Sequence, residues 1–387
     1  MQGDFDVIVV GGGAMGTAAA RVLAERGRAT LLLERFDVGH SRGSSGGPTR
    51  VFRIAYDHPD YVRMARIAVE AWRELEDAAG EPLLVTTGGI YIGGGAGRFA
   101  TAMGAAGERV RYIAQEAATE RWPGLRLPPG MELLVDEEGG VCYAERTVLA
   151  QVRLFVQAGG TLLQQTRVER LEASSDGARV LTAHETFRAP VAIVTAGSWA
   201  GPLLAEAGIR LPLTPSLEQV SYYRIAQPSA LPTVVDWTGP PIEDGKGGSV
   251  HVAYAVPHPE EPGTLKIGLD GSGPDVSAET RSFDPDPERL ARADAWAEER
   301  FAEPVPARRP DTCLYTNTPD GEFVLDRVGP IVVGSPCSGH GFKFTPLIGL
   351  ILTALATGEQ PPVPLAPFAA TRVFVRRLLS DRPFEQV

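Results

Sequence analysis

Two kinds of residue are spaced for chemistry in this chain: glycines that open a helix, and a few cations set among glycines and hydroxyls. Near the N-terminus, Gly11-x-Gly13-x-x-Gly16 follows the strand-forming run Asp6–Val10 and precedes an Ala-rich segment of helical composition. Gly11 permits a tight turn, Gly13 lets a pyrophosphate approach the backbone, and Gly16 lets the helix pack closely on the strand. The helix start at Ala14 and Met15 offers unpaired N–H groups and the positive end of a dipole to phosphates. A second strand, Ala29–Leu33, closes on Glu34, whose carboxylate would accept hydrogen bonds from a ribose, with Arg35 beside it. Strand, turn, helix, strand and acid in this order form a dinucleotide-binding fingerprint. Gly93-Gly94-Gly95-Ala96-Gly97 also follows a strand-like run, but Arg98 stands at its third glycine position. No second strand ending in an acid follows, so that stretch reads as a loop.

The cations come next. The stretch Gly39–Arg53 is rich in glycine and serine and ends in Arg50 and Arg53. Its small residues let the backbone pass close to a flat cofactor, the hydroxyls of Ser44, Ser45 and Thr49 can hold phosphate, and the two arginines make an anion site if they point inward. Lysine is scarce: Lys246, Lys266 and Lys343 are the only three, while arginine is plentiful. A retained lysine is therefore of interest, since arginine serves as a mere surface charge. Lys343 ends the glycine-rich turn Cys337-Ser-Gly339-His-Gly341-Phe342-Lys343, which follows the strand Ile331–Gly334. Thr345-Pro346 then opens an apolar helix, with Thr suited to the N-cap and Pro to the first turn. Glycines before a helix N-terminus are a second anion-stabilising device, suited to charge that builds on a flavin's pyrimidine end.

The elements that must position these groups alternate in type. Residues 59–78 form an amphipathic helix with Tyr61, Ala65, Ala68, Trp72 and Leu75 on one face. From 85 to 142 the pattern is short strands and turns; 145–158 is helical. Strands with tight turns follow, and Val191–Thr195 runs into Ala196-Gly197-Ser198-Trp199, a strand and small-residue turn that should return to the nucleotide-binding sheet. Residues 215–280 are strand-rich and about 286–302 helical, which implies two interleaved domains rather than two consecutive ones. Composition agrees with a globular chain: 387 residues, 43% hydrophobic and 22% charged. A net charge of −11 argues against a nucleic-acid partner. Three cysteines, Cys142, Cys313 and Cys337, lack CxxC spacing, so neither a disulfide framework nor a zinc site is expected, and no metal is expected elsewhere. An N-terminus without basic residues, its apolar run broken by glycines, suggests neither signal peptide nor anchor, and no run reaches membrane-span length. A cytoplasmic location is expected, with no membrane partner.

The motifs VIVVGGGAMG, GSSGGPTRVFR, RWPG (Arg121–Gly124), TAGSW, LKIG, TCLYTNTPD and SGHGFKF occur in order along essentially the whole chain. In them the sequence resembles the amine-oxidising flavoprotein family that includes glycine oxidase and D-amino acid oxidase, and within it the branch of monomeric sarcosine oxidase and N-methyltryptophan oxidase. The resemblance implies an α/β fold in which a Rossmann-like FAD-binding domain (1–84, 143–214 and 315–387) is interleaved with a mixed or antiparallel-sheet substrate domain (85–142 and 215–314). FAD would contact the N-terminal glycines, Glu34 and Arg35, the Ser44–Arg50 loop, Val168, Gly197, Trp199, and Gly339, Gly341, Phe342 and Lys343. Cys313 matches the cysteine that carries FAD through a thioether. From the residues alone Cys337, close to the glycine turn, is a rival. Arg53 and Lys343 match the pair that holds the substrate carboxylate, Arg50 an arginine close to the flavin, and Lys266 the lysine where oxygen is activated. Tyr254 matches a tyrosine lining the substrate pocket. Asp270 departs from the pattern, since the family has His four positions after the lysine.

What the resemblance implies is an oxidase of secondary, N-methyl amino acids. Hydride passes from the carbon beside the amine to the flavin, the imine is hydrolysed, and O₂ is reduced to hydrogen peroxide. Asp270 favours an alternative, oxidation of a cyclic L-amino acid of the pipecolate or proline type. A dehydrogenase feeding another acceptor is a further alternative, which Lys266 opposes. A monomer acting on a small amino acid and O₂ is expected.

Overall fold

The computed structural model describes residues 5–225, 231–238, 242–243, 249–250 and 252–372. Lys246 and part of the strand-rich stretch 215–280 lie outside the described residues. The chain divides into two compact units: residues 1–46, 145–215 and 315–387, and residues 47–144 and 216–314.

The first unit is built on a six-stranded sheet ordered Val324–Val328, Ile331–Ser335, Val191–Val194, Val7–Val10, Thr30–Leu33, Thr161–Leu163. Every pair is parallel except the first, which is antiparallel. All four residues of each central strand are buried, as a parallel sheet covered on both faces requires. The strand Val191–Val194 does return to the nucleotide-binding sheet, pairing with Val7–Val10. A three-stranded antiparallel sheet, Val168–Ser174, Gly177–Thr182 and Thr186–Ala189, packs on the same core through Leu171, Val180 and Phe187.

The second unit carries an eight-stranded sheet ordered Val305–Asn317, Thr214–Arg224, Thr264–Leu269, Ala253–Pro257, Thr233–Asp236, Gly89–Ile92, Glu132–Asp136, Arg111–Ala114. From Thr214–Arg224 to Arg111–Ala114 its register is antiparallel except where Thr233–Asp236 meets Gly89–Ile92. The helix Pro287–Arg300 seals it with Ala293, Trp296 and Ala297, and its N-cap Asp286 accepts from the N–H groups of Glu288 and Arg289. A small antiparallel sheet joins Thr49–Phe52, Gly140–Tyr143 and Leu84–Thr86. The helix Pro59–Ala79 buries Tyr61, Ala65, Ala68, Trp72 and Leu75, the face its periodicity indicated.

Residues 47–84 cluster with the second unit, where Thr49–Phe52 pairs with Gly140–Tyr143. Three expectations are corrected. The glycine run 93–97 is not a loop: a helix spans Gly95–Ala105 and buries Ala96, Phe99, Ala102 and Met103. Gly95 accounts for its start, since a side chain there would collide with the Trp237 ring. Another helix, Gln115–Arg121, lies in the stretch read as strands and turns. Thr345 is not a cap either. It is already helical, Phe344 holds the N-cap position, and the Thr345 hydroxyl donates to the Phe342 carbonyl at 2.6 Å.

Candidate active site

In the first unit the fingerprint takes the form its spacing requires. Gly11 has a φ of 104°, in the left-handed region, and a Cβ on Gly16 would collide with the Gly11 carbonyl. The helix Ala14–Glu25 starts from Gly13, which carries no capping side chain, while Ala14 N–H donates to Ser45 Oγ at 3.0 Å. Met15 lies with its sulfur 4.0 Å from Thr345 Oγ1. Gln151 holds this start from behind, its amide within 3.5 Å of the Ala14 carbonyl and 3.3 Å of Thr17 Oγ1. Sequence reasoning missed Gln151, which is one polar residue inside an amphipathic helix.

Glu34 is buried and accepts from Gly12 N–H at 2.6 Å and Phe36 N–H at 2.8 Å, with His40 Nε2 at 3.4 Å. Burial alone would raise its pKa, but His40 and the two N–H donors outweigh it and hold the carboxyl below its ordinary value. His40, absent from the sequence expectations, thus orients the acid meant for a ribose. Arg35 stacks over the rings of Phe36 and Trp199, at 5.0 and 5.6 Å from their centroids. Gly197 opens the short 3₁₀ turn Gly197–Trp199, and the indole N–H of Trp199 is buried with no acceptor. A buried donor left unmatched costs about 1–3 kcal/mol, so it marks a place for a bound acceptor. The uncapped helix start, the fixed carboxylate at the end of the second strand and this orphaned N–H suit a dinucleotide. Val168, by contrast, packs against the sheet core at the start of its own strand.

The glycine turn 337–343 also belongs to this unit. Gly339 lies against the Tyr315 ring and Gly341 against the Pro336 carbonyl, so the turn admits no Cβ at either place. Phe342–Phe344 is a 3₁₀ turn, and buried Lys343 donates from Nζ to the His340 carbonyl at 2.7 Å. Cys337 is half-buried; burial raises its thiol pKa, opposed by hydrogen bonds to Thr316 and Ser44. These bonds engage Cys337 within the turn's own scaffold.

The second unit gathers most of the expected catalytic residues. Buried Lys266 pairs across strands with Tyr222 and Val256 and donates from Nζ to the Thr49 carbonyl. The same carbonyl accepts from Arg50 Nη1 at 2.8 Å, so one oxygen ties the lysine and the arginine together. Burial and the neighbouring Arg50 push the Lys266 pKa well below the ordinary lysine value. Cys313, half-buried on its strand, shares this surrounding: burial raises its thiol pKa, while Arg50, Lys266 and Arg281 favour the thiolate. Arg281 is tied to the preceding residue, donating to the Thr312 carbonyl and hydroxyl at 3.0 Å. Tyr254 lies over Gly268 of the neighbouring strand, and a side chain at Gly268 would occupy the space of its ring. The glycine of LKIG is needed for that contact.

Arg53 follows the strand Thr49–Phe52 and is half-buried, its guanidinium 4.5 Å from the Tyr56 ring centroid and 5.1 Å from that of Phe99. Burial would lower its pKa, but attraction to Tyr56, Tyr91 and Asp270 holds it above the ordinary value. The Nε–H is buried without an acceptor. With its faces on aromatic rings, such a guanidinium presents its in-plane donors to an anion such as a carboxylate. Sequence reasoning missed Tyr56, Phe99 and Tyr91, because a helix hidden in the glycine run supplies one of them. Among the described residues no cluster of three His, Cys, Asp or Glu side chains is disposed to hold a metal. No helix among them is long and apolar enough to cross a membrane.

Comparison with known proteins places this geometry. Residues 6–355 match the family described as FAD dependent oxidoreductase. The chain is 33% identical to peroxisomal sarcosine oxidase of Homo sapiens, covering 95% of this chain and 96% of that protein. It is 31% identical to monomeric sarcosine oxidase of Bacillus sp. (strain B-0618), covering 98% and 99%. The solved structure of NikD, an unusual amino acid oxidase essential for nikkomycin biosynthesis, superposes with a TM-score of 0.84 at 26% identity, covering 95% of this chain and 97% of that one.

Proposed function

This chain belongs to the family of FAD-dependent oxidoreductases, and we propose that it is a flavin-dependent amine oxidase of secondary, N-methyl amino acids that reduces O₂ to hydrogen peroxide. The observation that carries this reading is the pair of cationic sites in the second unit. Arg53, seated on aromatic rings with an unmatched Nε–H, is suited to a substrate carboxylate. Lys266, tied with Arg50 to the Thr49 carbonyl, is suited to the developing charge of reduced oxygen.

FAD supplies hydride acceptance and the two electrons that reach O₂. Gly11, Gly13, Ala14, Met15 and Gly16 would hold its pyrophosphate, Glu34 and Arg35 its adenosine end, and Ser44, Ser45, Thr49 and Trp199 further polar atoms. Val168, Gly197, Gly339, Gly341 and Phe342 complete the proposed contacts. Arg53 and Lys343 bind the substrate carboxylate, and Tyr254 lines the substrate position. Cys313 is the proposed thioether attachment point: it matches the cysteine that carries FAD in the branch the sequence resembles, and Arg50, Lys266 and Arg281 oppose the rise that burial gives its thiol pKa. Flavin absorbance that stays with acid-precipitated protein, and is lost in Cys313→Ala, tests the attachment; release of free FAD by acid would contradict it. The segments 1–84, 143–214 and 315–387 are proposed to serve FAD, and 85–142 and 215–314 the substrate. A cytoplasmic monomer is the proposed state: the net charge of −11 favours a monomer, which sedimentation of the purified protein would check.

Asp270 favours a second reading, oxidation of a cyclic L-amino acid. Its carboxylate contributes to the field at Arg53 and adds negative charge where a cationic amine would be welcome. A panel of N-methyl and cyclic amino acids scored by peroxide separates the two. Sarcosine and its N-methyl relatives giving the highest kcat/KM supports the first, and pipecolate or proline the second.

A further inference from the structure

Arg53 has no rigid element of its own, because the strand Thr49–Phe52 ends one residue before it. What fixes its direction must come from elsewhere, and two routes lead to one carboxylate. The first runs through the backbone. Asp136 Oδ2 accepts from Ile54 N–H at 2.6 Å and Ala55 N–H at 3.2 Å, the two peptide groups immediately after Arg53. Ile54 and Ala55 are buried, so these donors have no recourse to water. The second runs through side chains. The Tyr91 hydroxyl lies 3.4 Å from the same Oδ2, the Tyr91 ring packs on Phe99 at 5.3 Å between centroids, and Phe99 lies under the Arg53 guanidinium. Asp136 itself is immobilised. It ends the strand Glu132–Asp136, is buried, and its Oδ1 accepts Glu138 N–H at 3.1 Å.

We propose that Asp136 is the positioning residue for Arg53, fixing both the peptide turn that carries the guanidinium and the aromatic seat beneath it. The inference rests on the reading of Arg53 as the carboxylate ligand. A carboxylate is required because its acceptor-only oxygens serve donors from three segments at once. An amide of the same shape offers one accepting oxygen and turns its other end into a donor. The residue is a support rather than a participant, so its loss should weaken carboxylate binding and leave the chemical step largely intact.

The test uses flavin-loaded enzyme and acetate as a carboxylate probe, read by perturbation of the flavin absorbance, beside steady-state kinetics on the best substrate of the panel. Asp136→Asn should raise the acetate Kd and the substrate KM by roughly tenfold, on the scale of one lost hydrogen bond to a charged group, with kcat within about threefold. Tyr91→Phe, which removes one hydroxyl and keeps the ring, should raise both by a smaller factor and decides the matter if Asp136→Asn does not fold. Arg53→Met separates the layers of the argument. If it abolishes acetate binding while folded Asp136→Asn binds acetate as the parent does, the positioning role is overturned and the reading of Arg53 stands. If Arg53→Met also binds acetate normally, that reading falls and the inference with it. A change in kcat equal to or larger than that in KM for Asp136→Asn would likewise overturn the inference.

Discussion

In residues 1–46 the groups offered to a cofactor are chiefly backbone: a turn at Gly11, an uncapped helix start at Gly13, a contact at Gly16 too close for a side chain. In residues 47–144 and 216–314 they are side chains carried on strands of two sheets. Lys266, Arg50, Tyr254 and Cys313 stand on four different strands. The contrast explains how each could be recognised. A backbone site is written as local spacing, since only glycine fits at fixed offsets. A side-chain site built by register has no local signature, because its members are hundreds of atoms apart along the chain.

The contrast can be broken at its strongest point first. Gly16→Val would drive a branched side chain into the Gly11 carbonyl and the Thr195 hydroxyl, so no flavin-loaded protein is expected, read as loss of flavin absorbance from the purified product. Flavin incorporation at the parent level would show that the backbone site tolerates side chains and that the contrast is false. Lys266→Met comes next. Reoxidation by O₂ should slow by roughly a hundredfold, typical of removing one group that stabilises developing charge, while anaerobic flavin reduction changes by less than about threefold. Equal slowing of both steps would refute the assigned role. The sign of the pH effect follows from its lowered pKa: Lys266 carries charge below that value, so reoxidation should fall as pH rises through a point under the ordinary lysine range. Lys266→Met should lack that step.

Smaller effects sharpen the comparison. Gly268→Ala places a methyl group in the space of the Tyr254 ring, so KM should rise by roughly three- to tenfold with flavin content unchanged. Glu34→Gln should destabilise mildly near neutral pH, with its difference from the parent vanishing in acid. The Glu34 pKa is held below its ordinary value, so its contribution to stability is full above the ordinary carboxylate pKa and is lost as pH falls through the lowered one. Thermal unfolding of the parent should weaken across that window, and the Glu34→Gln variant should show no such step.

These differences also set how much could be read in advance. The parallel sheet, its helices and the place of Glu34 were legible because burial, period and glycine spacing are local properties. The helix Pro59–Ala79 was legible for the same reason, its buried face recurring at helical spacing. The helix Gly95–Ala105 was not, since four of the five residues at 93–97 are glycine, and what ends the loop is packing on Trp237. Nor was the seat of Arg53. Asp136 bonds to Ile54 across 82 residues, and nothing in the run MELLVD distinguishes an acid that fixes a turn from one that faces water. The roles of Lys266 and Cys313 came through resemblance, and the structure adds what spacing could not: Arg50 and Lys266 share the Thr49 carbonyl.

The central claim is that this family member takes two electrons from a secondary amino acid and passes them to oxygen. Anaerobic mixing of the purified flavoprotein with each amino acid of the panel, followed by admission of air, tests it in one vessel. The account predicts that an N-methyl or cyclic amino acid bleaches the flavin, that air restores its colour, and that one hydrogen peroxide forms for each amine oxidised. Flavin that stays oxidised with every secondary amino acid, or reduced flavin that air does not reoxidise, would contradict it.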